Sequence, residues 1–286
     1  PAVNHLVGSL ELDNLYKPDN KIIVAVLEKD GQIQAGKAVD HYRQGWELVL
    51  FILFVLCLIF YAGYTGLKAL FSFMASLYVI WNLFIPGLLE GKHPIILASV
   101  LITLLTAVIV FSVAGFSRKG FSAFLGTVTG LMITVLITLI FGDRLGIDGA
   151  TAPYAATLLF SGYQGLNLKH ILYAAILIGA SGACMDISMD VAASMEEIKI
   201  KKPDISMKDL IRSGYNVGRS VIGTMTTTLL LAYSGSYLTL LMLFIAKNSS
   251  LVRILNLKIV SAEIMRTLTG SIGLVLVAPI TALIAG

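Results

Sequence analysis

Charge is what this sequence has least of. Only 13% of its 286 residues are Asp, Glu, Lys or Arg, against roughly 25% in a soluble domain. A water-soluble protein of this length could not cover its surface with so little charge. Cysteine is scarce too: Cys57 and Cys184 are the only two, each inside an apolar run. That excludes a disulfide framework, and no CxxC or His-rich spacing points to a metal, so no metal is expected. There is no P-loop, no HExxH, no GxSxG and no dinucleotide fingerprint. Enzyme chemistry therefore has no motif to stand on, and no cofactor is expected. No charged-then-apolar leader precedes the first polar stretch, and the chain starts at Pro1. We expect a longer N-terminus ahead of it.

What is present is apolar. Hydrophobic residues make up 57% of the chain, and its mean hydropathy is +0.85. The net charge of +4 would ordinarily raise nucleic acid as a partner. Here the basic residues sit in short clusters between apolar runs, a pattern that encodes membrane topology instead. The expected partner is the lipid bilayer, with no nucleic acid. The histidines, His5, His41, His93 and His170, are scattered outside the apolar runs and read as solvated or interfacial side chains.

Residues 1–46 are polar and mixed in charge. Lys21 to Leu27 reads as a strand, Asp30-Gly31 as a hairpin turn and Gln32 to Val39 as the return strand. Two strands alone are marginal, so this segment reads as the end of a longer extracytoplasmic domain. Residues 47–286 form the transmembrane domain. A crossing needs about 20 apolar residues, and runs of that kind fall at 47–66, 69–89, 95–115, 120–141, 170–192, 213–233, 236–247 and 264–284. The expected fold is an all-α integral membrane bundle of about eight helices with a small β-rich N-terminal segment. The run 236–247 is short, and 151–165 reads either as a re-entrant half-helix or as an ordinary loop.

Basic clusters follow the third run (Arg118, Lys119), the fifth (Lys199, Lys201, Lys202, Lys208, Arg212) and the seventh (Lys247, Arg253, Lys258). On an eight-crossing count all three lie on one side, which the positive-inside rule makes cytoplasmic. The N-terminal segment and the C-terminus then lie outside.

Ionisable residues within membrane helices cost at least about 2.5–3.5 kcal/mol on insertion scales and mark function first. Asp186 and Asp190 are four apart and share one helical face with small residues, Gly179, Gly182 or Ala183, and Ser194. A carboxylate in lipid is a natural proton or cation carrier. In the next apolar run, Asn216, Arg219 or Ser220, Gly223 and Thr227 follow helical spacing, within a cluster of Thr224, Thr226, Thr227 and Thr228. Such hydroxyls either join a relay or bond carbonyls of their own helix. Arg219 reads as snorkelling to the interface or as a charge partner for Asp186. Glu263 and Arg266, at i and i+3, read as a local pair, with Asn216 a further polar partner. The first four helices read mostly as lipid-facing scaffold.

Three segments together carry a resemblance: GASGACMDISMDVAASMEEI (179–198), SGYNVGRSVIGTMTTTLLLAYSGS (213–236) and EIMRTLTGSIGLVLVAPITALIA (263–285). With Tyr42-Arg43 and the stretch Gly115 to Lys119, they resemble the YibE/F family of bacterial multi-pass membrane proteins. The polar stretch ahead of the membrane region makes the chain more similar to its YibE branch. That resemblance implies location in the bacterial plasma membrane and leaves the biochemical activity undefined. Helix order alone is similar to proton-driven SecD/SecF and MMPL-type proteins, where Asp186 would match the proton-carrying Asp, although the large periplasmic insertions of that group are missing here. Two functions are expected to compete. One is a proton- or cation-coupled transporter or export accessory working through Asp186. The other is a non-transporting scaffold or receptor that acts as a homo-oligomer or with a paralogous membrane subunit.

Overall fold

The structure, a computed structural model, describes residues 2–4, 6, 8, 13–29 and 32–286. His5 and the expected Asp30-Gly31 turn lie outside the described residues. The chain divides into two compact units, residues 1–67 and 68–286.

The first unit carries a three-stranded sheet in the order β1-β3-β2. Strands β2 (Ile22–Lys29) and β3 (Gln32–His41) pair antiparallel, from Ile22 against His41 to Lys29 against Gln32, and β1 (Ala2–Val3) lies parallel to β3. Among the described residues of this sheet only Ala38 is buried. Arg43 closes on Asp40 at 2.6 Å just before helix α1 (Gln44–Val79) begins. The helix leaves regular geometry at Gly63, with φ 52° and ψ −126°. A Cβ there would meet nothing within 4 Å. Glycine is thus required at that bend for its backbone conformation and not for space.

In the second unit the helix runs on to Val79, through a π turn (Ile80–Phe84) and into α2 (Ile85–Leu89). Pro86 lies in the first turn of α2, where a missing N–H costs little. Next come α3 (Pro94–Ala114), α4 (Arg118–Arg144), the short α5 (Ala155–Phe160) and α6 (Leu168–Lys201). Helices α7 (Met207–Ser236), α8 (Leu238–Ala246), α9 (Leu251–Leu255) and α10 (Lys258–Ala285) complete the chain.

Among the described residues, five helical runs are long and apolar enough to cross a bilayer, or six with α7 and α8 counted as one bent span. This is fewer than eight separate spans, for two physical reasons. The runs 47–66 and 69–89 belong to one 46-residue helical stretch, Gln44–Leu89, interrupted at the Gly63 bend. The run 236–247 holds only the nine-residue α8, about 14 Å long and turned 67° from α7. Residues 151–165 contain α5, six residues long.

The helix core is built on small residues. Along the seam between α4 and α10, a Cβ on Gly126 would run into Thr281, one on Gly130 into Val277, and one on Gly273 into Thr134. The partners count down along α10 as they count up along α4, so the two helices are antiparallel, their backbones brought close by glycine. Helix α6 runs parallel to α10, Gly270 facing Ala180 and the Thr281 hydroxyl donating to Ser188 Oγ at 3.2 Å. Helix α7 runs antiparallel to both, Gly214 against Met195 and Ala282, Gly218 against Ala278 and Val191. Buried hydroxyls donate to carbonyls of their own helix, Thr127 to Ala123, Thr134 to Gly130, Thr138 to Thr134 and Thr269 to Met265. The expectation that the first four helices are mostly lipid-facing scaffold fails for α4. Its Gly126, Gly130 and Thr134 form half of a tightly packed seam with α10, and its apolar composition masked that small-residue stripe.

These directions place each loop at one end of the bundle, and they correct the assignment of sides. Lys119 pairs with Glu196 at 2.7 Å, and Gly286 packs against Ile211. The first two basic clusters and the C-terminus therefore share one end. Lys258 instead pairs with Asp148 at 2.7 Å, at the other end, where His93 and His170 also meet with ring centroids 4.9 Å apart. The third cluster thus does not lie with the first two, nor the C-terminus opposite them. The reason is that α8 turns aside instead of crossing back.

The Lys258–Asp148 clasp makes a pH prediction. The hydrogen bond from Lys258, with a second from the Ala150 N–H, holds the Asp148 carboxyl below the usual carboxylate range. A depressed value means the contribution is present above the ordinary Asp range, near pH 4, and is lost as pH falls through the folded value. Both side chains are largely solvated, so the gain is at most about 0.5 kcal/mol. Hydrogen exchange at Gly146–Ala150 is expected to quicken below about pH 4 in the native chain. Asp148→Asn should exchange at that faster rate at neutral pH as well. A native rate flat from pH 7 to 3, after correction for intrinsic exchange, would show the clasp contributes nothing.

Candidate functional site

Asp186 and Asp190 lie midway along α6, whose N-terminus is capped by the Asn167 side chain accepting the His170 N–H at 3.0 Å. Asp186 is about 27 Å from Leu168 and 22 Å from Lys201 at 1.5 Å per residue. The inward face of α6 is formed by Ala180, Cys184, Ile187, Ser188, Val191 and Met195, all buried. The two aspartates occupy the opposite face and are exposed at the bundle surface. Neither aspartate lines any of five cavities found among the described residues. Gly182, one turn from Asp186, has nothing within 4 Å of where a Cβ would be.

Helix α7 is capped by Ser206, which accepts the Asp209 N–H at 3.1 Å. Its inward side is Leu210, Gly214 and Gly218. Asn216, Arg219, Ser220, Gly223, Thr224, Thr227 and Thr228 are exposed, whereas Thr226 is half-buried. Each of the four threonines donates its hydroxyl to a carbonyl of α7: Thr224 to Val221 at 3.0 Å, Thr226 to Ile222 at 2.8 Å, Thr227 to Gly223 at 3.3 Å and Thr228 to Thr224 at 3.0 Å. Their donors are occupied and their remaining capacity is to accept. Because Gly218 packs on Val191, Arg219 stands at the height of Asp190. The Arg219–Asp186 pair considered from spacing does not form: among the described residues neither Arg219 nor either aspartate makes an ion pair.

Glu263 and Arg266 do pair, Nη1 to Oε1 at 3.4 Å, with side chains only 15% and 23% exposed. Glu263 Oε2 and Arg266 Nε are buried with no hydrogen-bond partner. Glu263 lines a cavity of about 250 Å³ with Tyr233, Ser234 and Tyr237, at the break where α8 turns away from α7. On the far side Tyr233 reaches α6, its hydroxyl within 2.9 Å of where a Cβ on Gly179 would stand. This tyrosine pair was not anticipated from the sequence. The sequence signal is the i, i+4 spacing of Tyr233 and Tyr237, which falls in an uncharged stretch between two apolar runs.

The polar groups of α6, α7 and α10 thus form a discontinuous line. Because α6 and α10 run parallel, Glu263 and Asp186 are separated by about 20 Å along the helix axes, with Gly179 and Tyr233 at an intermediate height. Gaps of about 10 Å between such stations exceed a direct hydrogen bond and would need water to bridge them. A second cluster closes the end of the bundle opposite the C-terminus: Lys169 pairs with Asp143 at 2.6 Å, and the Tyr173 hydroxyl donates to the same oxygen at 3.3 Å. Among the described residues no group of three His, Cys, Asp or Glu side chains is arranged to hold a metal.

A family model described as YibE/F-like protein matches residues 50–286. Nothing among curated proteins matches, nor does any solved structure.

Proposed function

Because the chain belongs to the YibE/F-like protein family, whose members we read as multi-pass membrane proteins, we propose that it moves protons or small cations across the bacterial plasma membrane, as a transporter or export accessory. One observation carries this reading. Two carboxylates, Asp186 and Asp190, stand on one face midway along a long apolar helix, without an ion-pair partner among the described residues. Lipid penalises such charges, and a carboxyl that exchanges its proton spends part of its cycle neutral. Tyr233 and the Glu263–Arg266 pair extend the line toward the opposite end. The threonines of α7 offer acceptor oxygens beside it.

Counting α7 with α8 as one bent span, we assign five crossings to residues 94–286. The Arg118–Lys119 and 198–212 loops lie in the cytoplasm with the C-terminus, and the N-terminal segment is extracytoplasmic. The density of lysine and arginine in those two loops supports this orientation.

Proton flux into vesicles holding the purified chain, driven by a potassium diffusion potential and read by an internal pH dye, tests the relay. The native chain is expected to admit protons at least tenfold faster than protein-free vesicles. Asp186→Asn, which keeps size and removes titration, should lose that flux. Equal flux in Asp186→Asn and in Asp190→Asn would end the assignment.

A second reading is a scaffold or receptor subunit acting with a paralogous partner. The outward placement of both aspartates favours it, since they stand on the face of α6 opposite its buried residues. Native vesicles no leakier than empty ones, with a stoichiometric membrane partner recovered from cells, would decide for it.

A further inference from the structure

The outward face of α6 and α7 carries both signs of charge at matched height. Asp186 and Asp190 lie on α6, and Arg219 lies on α7 level with Asp190 because Gly218 rests on Val191. All three side chains are exposed, and none is ion-paired among the described residues. Around them stand the exposed glycines Gly182 and Gly223. A Cβ at Gly182 or at Gly223 would meet nothing within 4 Å.

We propose that this face is the contact surface of a two-fold dimer of the chain, in which Asp190 and Asp186 of one copy meet Arg219 of the other. The occupant follows from symmetry and charge. Two copies inserted the same way can be related by a two-fold axis along the membrane normal. Such an axis keeps every residue at its height and places α6 of one copy opposite α7 of the other. Contacts across a two-fold axis are reciprocal, so one acidic helix and one basic helix side by side are self-complementary: each Asp190 finds an Arg219, and the pairing occurs twice. An arginine fork also suits a carboxylate better than a lysine would. Glycines at 182 and 223 let the facing backbones approach, as small residues do at membrane helix contacts. Dimerisation thereby removes four carboxylates and two guanidinium groups from lipid. It also covers the relay face, supplying from the second copy a wall that the single chain lacks.

Cysteine pairs split between two differently tagged copies test this. In a background of Cys57→Ser and Cys184→Ala, one copy carries Asp190→Cys and the other Arg219→Cys. Mild oxidation in native membranes is expected to link the two tags at least tenfold more than a control pair at Met132, exposed on α4. Linkage no greater than the control overturns the proposal. So does a chain carrying both cysteines that closes only on itself.

Two further variants read the interface without cysteines. Gly182→Phe starts from a Cβ position with nothing within 4 Å in its own chain, would clash with a facing partner, and is expected to turn a dimer in single-molecule photobleaching into a monomer. Asp190→Arg alone should do the same, and Asp190→Arg with Arg219→Asp in one chain should restore the dimer. A native chain that is monomeric alone and associates only with a different membrane protein also overturns it. The measurement reads contact, not flux. A dimer without proton movement retires the relay and leaves the interface, whereas flux from a monomer does the opposite.

Discussion

Glu263→Ala, with Arg266 left in place, is expected to destabilise the folded chain by about 2–3 kcal/mol, below the full cost of breaking a buried pair because this one keeps some exposure. The pair is enclosed on α10 with only 15% and 23% of its side chains exposed, and two of its polar atoms already lack partners. No nearby carboxylate can replace Glu263, since Tyr233 and Tyr237 offer hydroxyls only. Removing both charges should behave differently. Glu263→Leu with Arg266→Met retains volume, and buried pairs replaced by apolar residues are commonly neutral or more stable by about 1–4 kcal/mol. Thermal unfolding in detergent, followed by loss of monodisperse protein, measures both. A double variant as unstable as Glu263→Ala would show that the pair is a structural keystone. A stable double variant that no longer carries protons would show that it is kept for function.

The second large effect falls on the seam between α4 and α10. At Gly126 a Cβ would meet the Thr281 side chain and lie 3.2 Å from its Cα, so the obstruction includes backbone and cannot be relieved by a rotamer change. Gly126→Leu is expected to cost about 3 kcal/mol, the upper end of ordinary overpacking. That corresponds to a fall of roughly 6–12 °C in Tm if each kcal/mol is worth about 2–4 °C. Gly235→Ala is the control. It lies in α7 with nothing within 4 Å of the new methyl, and should be neutral or stabilising by up to about 1 kcal/mol, the helix-interior difference between the residues. A Gly126→Leu protein melting within 2 °C of the native chain, roughly the shift from less than 1 kcal/mol, would mean the helices are not held together along this seam.

Both features show how far the sequence could be read. Apolar runs of spanning length are a one-dimensional property, so the helical membrane class was legible from hydropathy alone. Side assignment was not, because it depends on whether each run actually crosses. Leu238–Ala246 is as apolar as its neighbours, but it ends after nine residues and turns 67°. That one turn carries Lys247, Arg253 and Lys258 to the other end. The polar positions were legible as residue types and depths, and Glu263 with Arg266 pairs at the spacing that announced it. Which way each residue faces was not. The inward arc of a membrane helix need not be its polar arc, and on α6 Gly182 and the aspartates look outward while Ile187, Val191 and Met195 fill the core. The buried hydroxyls that matter for packing, Thr127, Thr134, Ser188 and Thr281, stood unmarked among aliphatic residues.

The glycine seam also has a consequence for biosynthesis. Its two halves, α4 and α10, are separated by more than a hundred positions in the chain. Domains and helices emerge in order during synthesis, so the groove of Gly126 and Gly130 waits open in lipid while α6 and α7 are made. Membrane helices insert individually before they associate, and here the association along this seam waits until α10 has been made. A chain stopped short of Lys258 would hold every earlier helix yet have nothing to lay into that groove. Helix α10 therefore closes the seam, and quality control acting on the unfilled groove would sense whether that helix had been made.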